Sequence, residues 1–195
     1  MSSSPDGALG AAALLARVRP ALGSAGVLLI DGRSGSGKTT LAGWLAPRLG
    51  ARVLPLEDLY CGWDGLDEAA AVLAERVLPA LTAGRVAEWP RWDWATDRRT
   101  GVGRLAPGGP LVVEGCGALT GGSRRFAAVA LVLDVATSLR TSRIMRRDPP
   151  DALPGHRRWA LQEQRHALRH PPAVLADLVL KGGVRLPEDP ASALR

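Results

Sequence analysis

Gly32-Arg33-Ser34-Gly35-Ser36-Gly37-Lys38-Thr39-Thr40 directly follows the apolar run Val27-Leu28-Leu29-Ile30-Asp31 and fits the spacing G-x-x-x-x-G-K-[ST] at Gly32, Gly37, Lys38 and Thr39. Glycines at this density let the backbone turn tightly enough for successive N–H groups to face one anion, and the loop runs on into a helix N-terminus that favours negative charge. The pattern is a phosphate-cradling P-loop. In it Lys38 neutralises the β- and γ-phosphates and the Thr39 hydroxyl ligates the accompanying Mg²⁺. Gly32, Ser34, Gly35, Ser36, Gly37, Lys38, Thr39 and Thr40 are therefore the expected nucleotide contacts. Lys38 and Lys181 are the only lysines in a chain of 25 basic residues. A lysine kept at position 38 suits a compact ammonium among phosphates better than a planar guanidinium fork.

Outward from this loop, apolar runs recur at Arg52–Leu56, Leu111–Glu114, Val129–Val135 and Ala176–Leu180, separated by stretches with apolar residues three and four apart at Leu41–Leu49, Asp67–Leu81, Ser138–Arg147 and Arg157–Arg169. Alternation of strand and helix predicts an α/β three-layer sandwich with about five parallel strands, helices on both faces, and ligands at the C-terminal strand edge. With 195 residues, 46% of them hydrophobic, one domain is expected, with an N-terminal helix within residues 1–24 and a short lid over 148–158.

The net charge of +6 raises nucleic acid as a partner, but the arginines are scattered or paired, as at Arg98-Arg99 and Arg157-Arg158, and a small polyanion such as ATP accounts for the balance better. Cys61 and Cys116 are expected as free thiols in a reducing cytoplasm. No apolar run approaches the roughly 20 residues of a bilayer span, so a soluble protein is expected. Self-association is left open.

A P-loop says only that phosphate is held, so the acceptor chemistry must lie elsewhere. The second strand runs into Glu57-Asp58-Leu59-Tyr60, where a carboxylate faces the γ-phosphate; Asp58 is the expected base for a hydroxyl acceptor, with Glu57 the alternative. Glu114 ends the third strand and is the expected second contributor to Mg²⁺ binding, or else a loop or capping carboxylate. Trp89-Pro90-Arg91-Trp92-Asp93-Trp94 holds three of the six tryptophans. It reads as a loop that either walls a flat or sugar-like acceptor through Trp92 and Asp93, with Arg98 or Arg99 beside them, or packs against the body. Arg143 and Arg147, four apart on one helix face before Asp148-Pro149-Pro150, are the expected lid arginines, whereas Arg140 reads as part of an exposed basic face. His156, His166 and His170 lack metal-ligand spacing and read as surface or packing residues.

These segments, in this order, resemble the uridine kinase-like branch of P-loop kinases, related to phosphoribulokinase and bacterial pantothenate kinase, from about Val27 to Gly183. Asp58 with Tyr60 is similar to that family's Asp-x-[Phe/Tyr]-Tyr segment, and Pro90-x-Trp92-Asp93-Trp94 with Arg99 to its acceptor motif. Val113-Glu114-Gly115 resembles its Glu-Gly turn, Arg143–Asp148 its lid entry, and Ala176–Val179 its last strand. The resemblance implies the P-loop NTPase fold, ATP and Mg²⁺ as donor and cofactor, and Lys38, Asp58, Arg143 and Arg147 as catalytic groups. It further implies that Tyr60, Trp92, Asp93, Arg99 and Glu114 meet the substrate. Asp97 stands where uridine kinases carry a histidine, and tryptophans replace the motif's tyrosines, which argues for a small-molecule hydroxyl acceptor other than a pyrimidine nucleoside. The rival readings are a nucleotide-hydrolysing module acting on a protein or nucleic acid and a drug-modifying phosphotransferase. The chain has no asparagine, so a guanine-reading Asn-Lys-x-Asp motif is excluded.

Overall fold

A computed structural model describes residues 10–184, 186 and 187. Strand β1 (Val27–Gly32) is buried along nearly its whole length, and its side chains alternate between two cores, as the two-residue repeat of a strand requires. Leu28 and Ile30 join Leu14 and Val18 of α1 (Ala11–Leu22) and Leu41 and Leu45 of α2 (Lys38–Leu49). Leu29 faces the opposite core, with Leu56, Leu73, Leu119 and Trp159. Covering both faces leaves no polar side on the sheet, and the chain builds three layers.

The sheet is wholly parallel, with β2 (Arg52–Pro55), β5 (Leu111–Glu114), β1, β6 (Val129–Asp134) and β7 (Leu178–Lys181) in that spatial order. From β1 the chain steps outward to β2, returns through β5, then crosses to β6 on the far side. The C-terminal ends of β1, β5 and β6 consequently bound one crevice, where such sheets place their ligands. All five expected strands occur. The last begins at Leu178 rather than Ala176, because the Asp177 carboxylate instead caps the Ala130 amide at 2.8 Å and pairs with Arg124.

Three expectations are corrected. The expected helix over Asp67–Leu81 is α3 (Leu66–Val72), a π turn (Leu73–Val77) and α4 (Leu78–Thr82). Pro79 has no N–H to give to the preceding turn, and the widened turn accommodates it. The tryptophan-rich segment is a hairpin rather than a loop, with β3 (Ala87–Asp93) antiparallel to β4 (Arg98–Leu105). Pro90, Gly101 and Gly103 break the alternation that would announce strands, yet Gly103 has a packing reason: a Cβ there would stand 2.3 Å from the buried Trp89 indole. The segment 148–158, expected as one open loop, is a 3₁₀ turn at Pro150–Ala152 that leads straight into the 17-residue α7 (Leu153–Arg169). A short α5 (Gly121–Arg124), α6 (Thr137–Arg147) and α8 (Pro172–Leu175) complete the chain. Of the expected N-terminal segment, residues 1–9 lie outside the described residues. Among the described residues no helix is long and apolar enough to cross a membrane.

Candidate active site

The loop between β1 and α2 curls over the crevice. Gly35 and Gly37 have φ of +77° and +96°, and a Cβ on Gly35 would also sit 2.5 Å from the Arg140 carbonyl, so both positions demand glycine. Asp31, at the end of β1, is buried and accepts from the amides of Gly32, Gly117 and Leu119, tying the P-loop's first residue to the loop after β5. Burial raises its pKa, and those amides together with Lys38 pull against the rise.

Lys38 is buried with Nζ 3.2 Å from the Arg33 carbonyl and 3.4 Å from Cys116 Sγ. Burial alone would favour the neutral amine. Cys116, Asp31, Glu114 and Glu163 outweigh it and leave the ammonium more firmly protonated than an ordinary lysine. Cys61 and Cys116 are both free thiols, and burial pushes both up, with Lys38 opposing the rise at Cys116.

Lys38 opens onto a cavity of about 770 Å³. Ser34, Gly35, Gly37, Thr39 and Thr40 of the P-loop line it, while Gly32 and Ser36 are outside the lining. Glu114 accepts a hydrogen bond from Thr39 Oγ1 at 3.1 Å; burial raises its pKa, with Lys38 and Thr39 opposing. A hydroxyl and a carboxylate side by side are hard oxygen donors of the kind Mg²⁺ takes. Among the described residues no cluster of three or more His, Cys, Asp or Glu side chains is arranged for a metal.

Of the two carboxylates that follow β2, both exposed, Glu57 lines the cavity and Asp58, the expected base, does not. Leu56–Leu59 forms a 3₁₀ turn, in which residues three apart eclipse. Glu57 is three residues from Tyr60, which is also in the lining, and Asp58 is two. Tyr60 is held in place by donating to the Cys116 carbonyl at 2.9 Å and by edge-on packing against Trp159 at 4.6 Å.

The aromatic wall is present with other members than expected. Trp63, Trp94 and Trp159 line the cavity, Trp63 lying edge-on to each of the other two at 5.7 and 6.5 Å and to His156 at 4.9 Å. Trp92 instead lies against Gly62, whose φ of +68° and missing Cβ leave room for the indole. Asp93 caps the hairpin turn, accepting from the Ala95 amide and the Thr96 hydroxyl, first of which the hydroxyl contact lowers its pKa. Arg99 pairs with Glu68 at 2.5 Å, both side chains about half exposed, and such a pair contributes about 0–1 kcal/mol. Trp92, Asp93 and Arg99, expected to meet the substrate, thus lie outside the cavity lining.

Arg143 and Arg147 both line the cavity. Arg143 Nη1 donates to the Gly35 carbonyl at 3.1 Å, and Arg147 pairs with Asp148. Arg140 is buried rather than exposed, because its guanidinium bonds the Ser34 and Val135 carbonyls, both at 3.0 Å, and the Thr137 hydroxyl. His156 lies in the cavity wall, and His166 is buried with Nδ1 2.7 Å from Asp67.

No protein-family model and no curated protein matches the sequence. Among solved structures, a possible uridine kinase from Bacillus stearothermophilus superposes with a TM-score of 0.64 at 21% identity, over 87% of this chain and 96% of that one. A protein provisionally assigned as a fructose transport system kinase, from Silicibacter sp. TM1040, superposes with a TM-score of 0.58 at 21% identity, over 87% and 98% of the two chains. The chain shares their fold, the three-layer α/β sandwich of the P-loop NTPases with a five-stranded parallel sheet.

Proposed function

We propose that the chain is an ATP- and Mg²⁺-dependent kinase that moves the γ-phosphoryl group to a hydroxyl of a small molecule. The observation that carries this reading is the continuity of one cavity, from the P-loop and Glu114 past Glu57 to the wall of Trp63, Trp94 and Trp159. A hydrolase acting on a partner has no need of an aromatic wall in the same cavity as the P-loop, whereas an acceptor with a flat or sugar ring does.

In this reading the P-loop amides and Lys38 hold the β- and γ-phosphates, while Arg143, held against the Gly35 carbonyl, and Arg147 add positive charge to the same cavity. Thr39 and Glu114 would hold Mg²⁺, which supplies neutralisation of phosphate charge when bound. Glu57 takes the proton of the acceptor hydroxyl as its oxygen bonds to phosphorus and the bond from phosphorus to the β–γ bridging oxygen breaks, leaving ADP. The kinases that share the fold support the reaction class. The acceptor is a small molecule bearing a free hydroxyl.

ADP release measured with ATP, Mg²⁺ and panels of nucleosides, sugars, sugar alcohols and pantothenate tests the proposal. At least one acceptor is expected to stimulate turnover. Nucleotide hydrolysis stimulated only by RNA, DNA or a protein would overturn it.

The raised pKa of Glu114 sets an acid limit. Its ionised form is the one that accepts from Thr39, so kcat/KM is expected to fall with decreasing pH through a midpoint above the ordinary glutamate value of 4.5. Glu114→Gln should remove that limb and raise the Mg²⁺ concentration for half-maximal rate by about tenfold or more. A limb unchanged in the glutamine variant would assign it to another group.

A further inference from the structure

One stripe of α7, spaced at three and four residues, carries His156, Trp159, Glu163 and His166 toward the body of the protein. Glu163 is the member that reaches the P-loop. Its side chain is 4% exposed, Oε1 accepts the Ser34 amide at 2.6 Å and Oε2 accepts Arg33 Nε at 2.9 Å. Burial alone would raise its pKa, but the Ser34 amide and Arg33 more than offset this and hold it below the ordinary 4.5, so it is an anion at neutral pH.

A trans peptide is planar, and its C=O and N–H point in opposite directions. With the Ser34 N–H drawn toward Glu163, the Arg33 carbonyl is turned to the other side. There it accepts Lys38 Nζ at 3.2 Å. The next peptide is fixed by the same logic, since Arg140 holds the Ser34 carbonyl at 3.0 Å and so turns the Gly35 N–H away from itself. The P-loop spacing prescribes neither Arg33 nor Ser34, and in this chain both are held by side chains from the far end of the sequence.

We propose that Glu163 is a positioning residue for phosphate binding, which acts by fixing the plane of the Arg33–Ser34 peptide and thereby the place of the Lys38 ammonium. The inference rests on the reading of this loop as a nucleotide site. A carboxylate that merely braced the fold would weaken nucleotide binding by the same factor whether or not Lys38 were present. One that acts through Lys38 would not.

Calorimetric Kd values for ATP with Mg²⁺, measured on the full chain as wild type, Glu163→Ala, Lys38→Ala and the double variant, separate the two. Glu163→Ala is expected to weaken binding about tenfold alone and less than about twofold in the Lys38→Ala background. Equal losses in the two backgrounds would overturn the proposal. Glu163→Gln keeps an oxygen for the Ser34 amide and is expected within about threefold of wild type; a loss as large as that of alanine would show that charge, not the peptide plane, is what counts. If Glu163→Ala does not fold, Glu163→Asp, which keeps the charge and draws it back by one methylene, runs the same cycle with the same criterion. A wild-type chain that binds no nucleotide would instead sink the nucleotide-site reading itself.

Discussion

Lys38→Ala is expected to lower acceptor-stimulated ADP formation by about three orders of magnitude or more, the scale seen when a preorganised charge is removed from a transferring group. The reason lies in the surroundings of the ammonium as much as in the phosphates. Nζ sits in a buried slot between the Arg33 carbonyl and the Cys116 sulfur, and Asp31, Glu114, Cys116 and Glu163 keep it charged there against the cost of burial. Lys38→Arg is not expected to rescue activity. A planar fork with five fixed donors does not fit a slot shaped by one carbonyl and one thiol, and more than about a tenth of the wild-type rate in that variant would overturn the assignment. Removing the cation also leaves Asp31 and Glu114, whose pKa values burial already raises, without their opposing charge. Both acids are then more costly to keep ionised, so the alanine variant should lose thermal stability at neutral pH and regain part of it as the pH falls and they protonate.

The parts of this site that one short segment supplies are visible in the chain, and the parts that several segments assemble are not. Residues 32–40 carry their chemistry in their own spacing, and the parallel sheet follows from the alternation of apolar runs with helical stretches. Glu163, by contrast, lies 129 residues from Ser34, within a helical stripe that reads as an ordinary inward face. Arg140 looks like one of several solvated arginines until the β6–α6 connection brings it beneath Ser34. Trp63 and Trp159 meet in the fold but come from distant parts of the chain, and neither neighbourhood in the sequence resembles an acceptor site. The hairpin fails to announce itself because Pro90 and the glycines of β4 interrupt the strand pattern where the tryptophans pack. The order of Glu57 and Asp58 is a different case, because both sit in one short segment: Tyr60 is three residues from Glu57 and two from Asp58, and only Glu57 joins it in the cavity lining.

That spacing yields the sharpest test of the proposed chemistry. Glu57→Gln is expected to lower kcat by about 10² or more while leaving ATP affinity nearly unchanged, the signature of losing a general base rather than a binding contact. Asp58→Asn, one residue away, should stay within about threefold of wild type, because its side chain lies outside the cavity lining. The pair controls for fold and local charge, since each variant removes one carboxylate from the same turn and keeps its volume. Tyr60 is what makes the prediction directional: its hydroxyl is fixed on the Cys116 carbonyl and its ring on Trp159, so the turn cannot rotate by one residue without breaking a buried hydrogen bond and an aromatic contact. If Asp58→Asn proves the damaging change and Glu57→Gln the silent one, the turn must shift register when the nucleotide binds. The proton would then pass to Asp58, and the role assigned to Glu57 would be wrong.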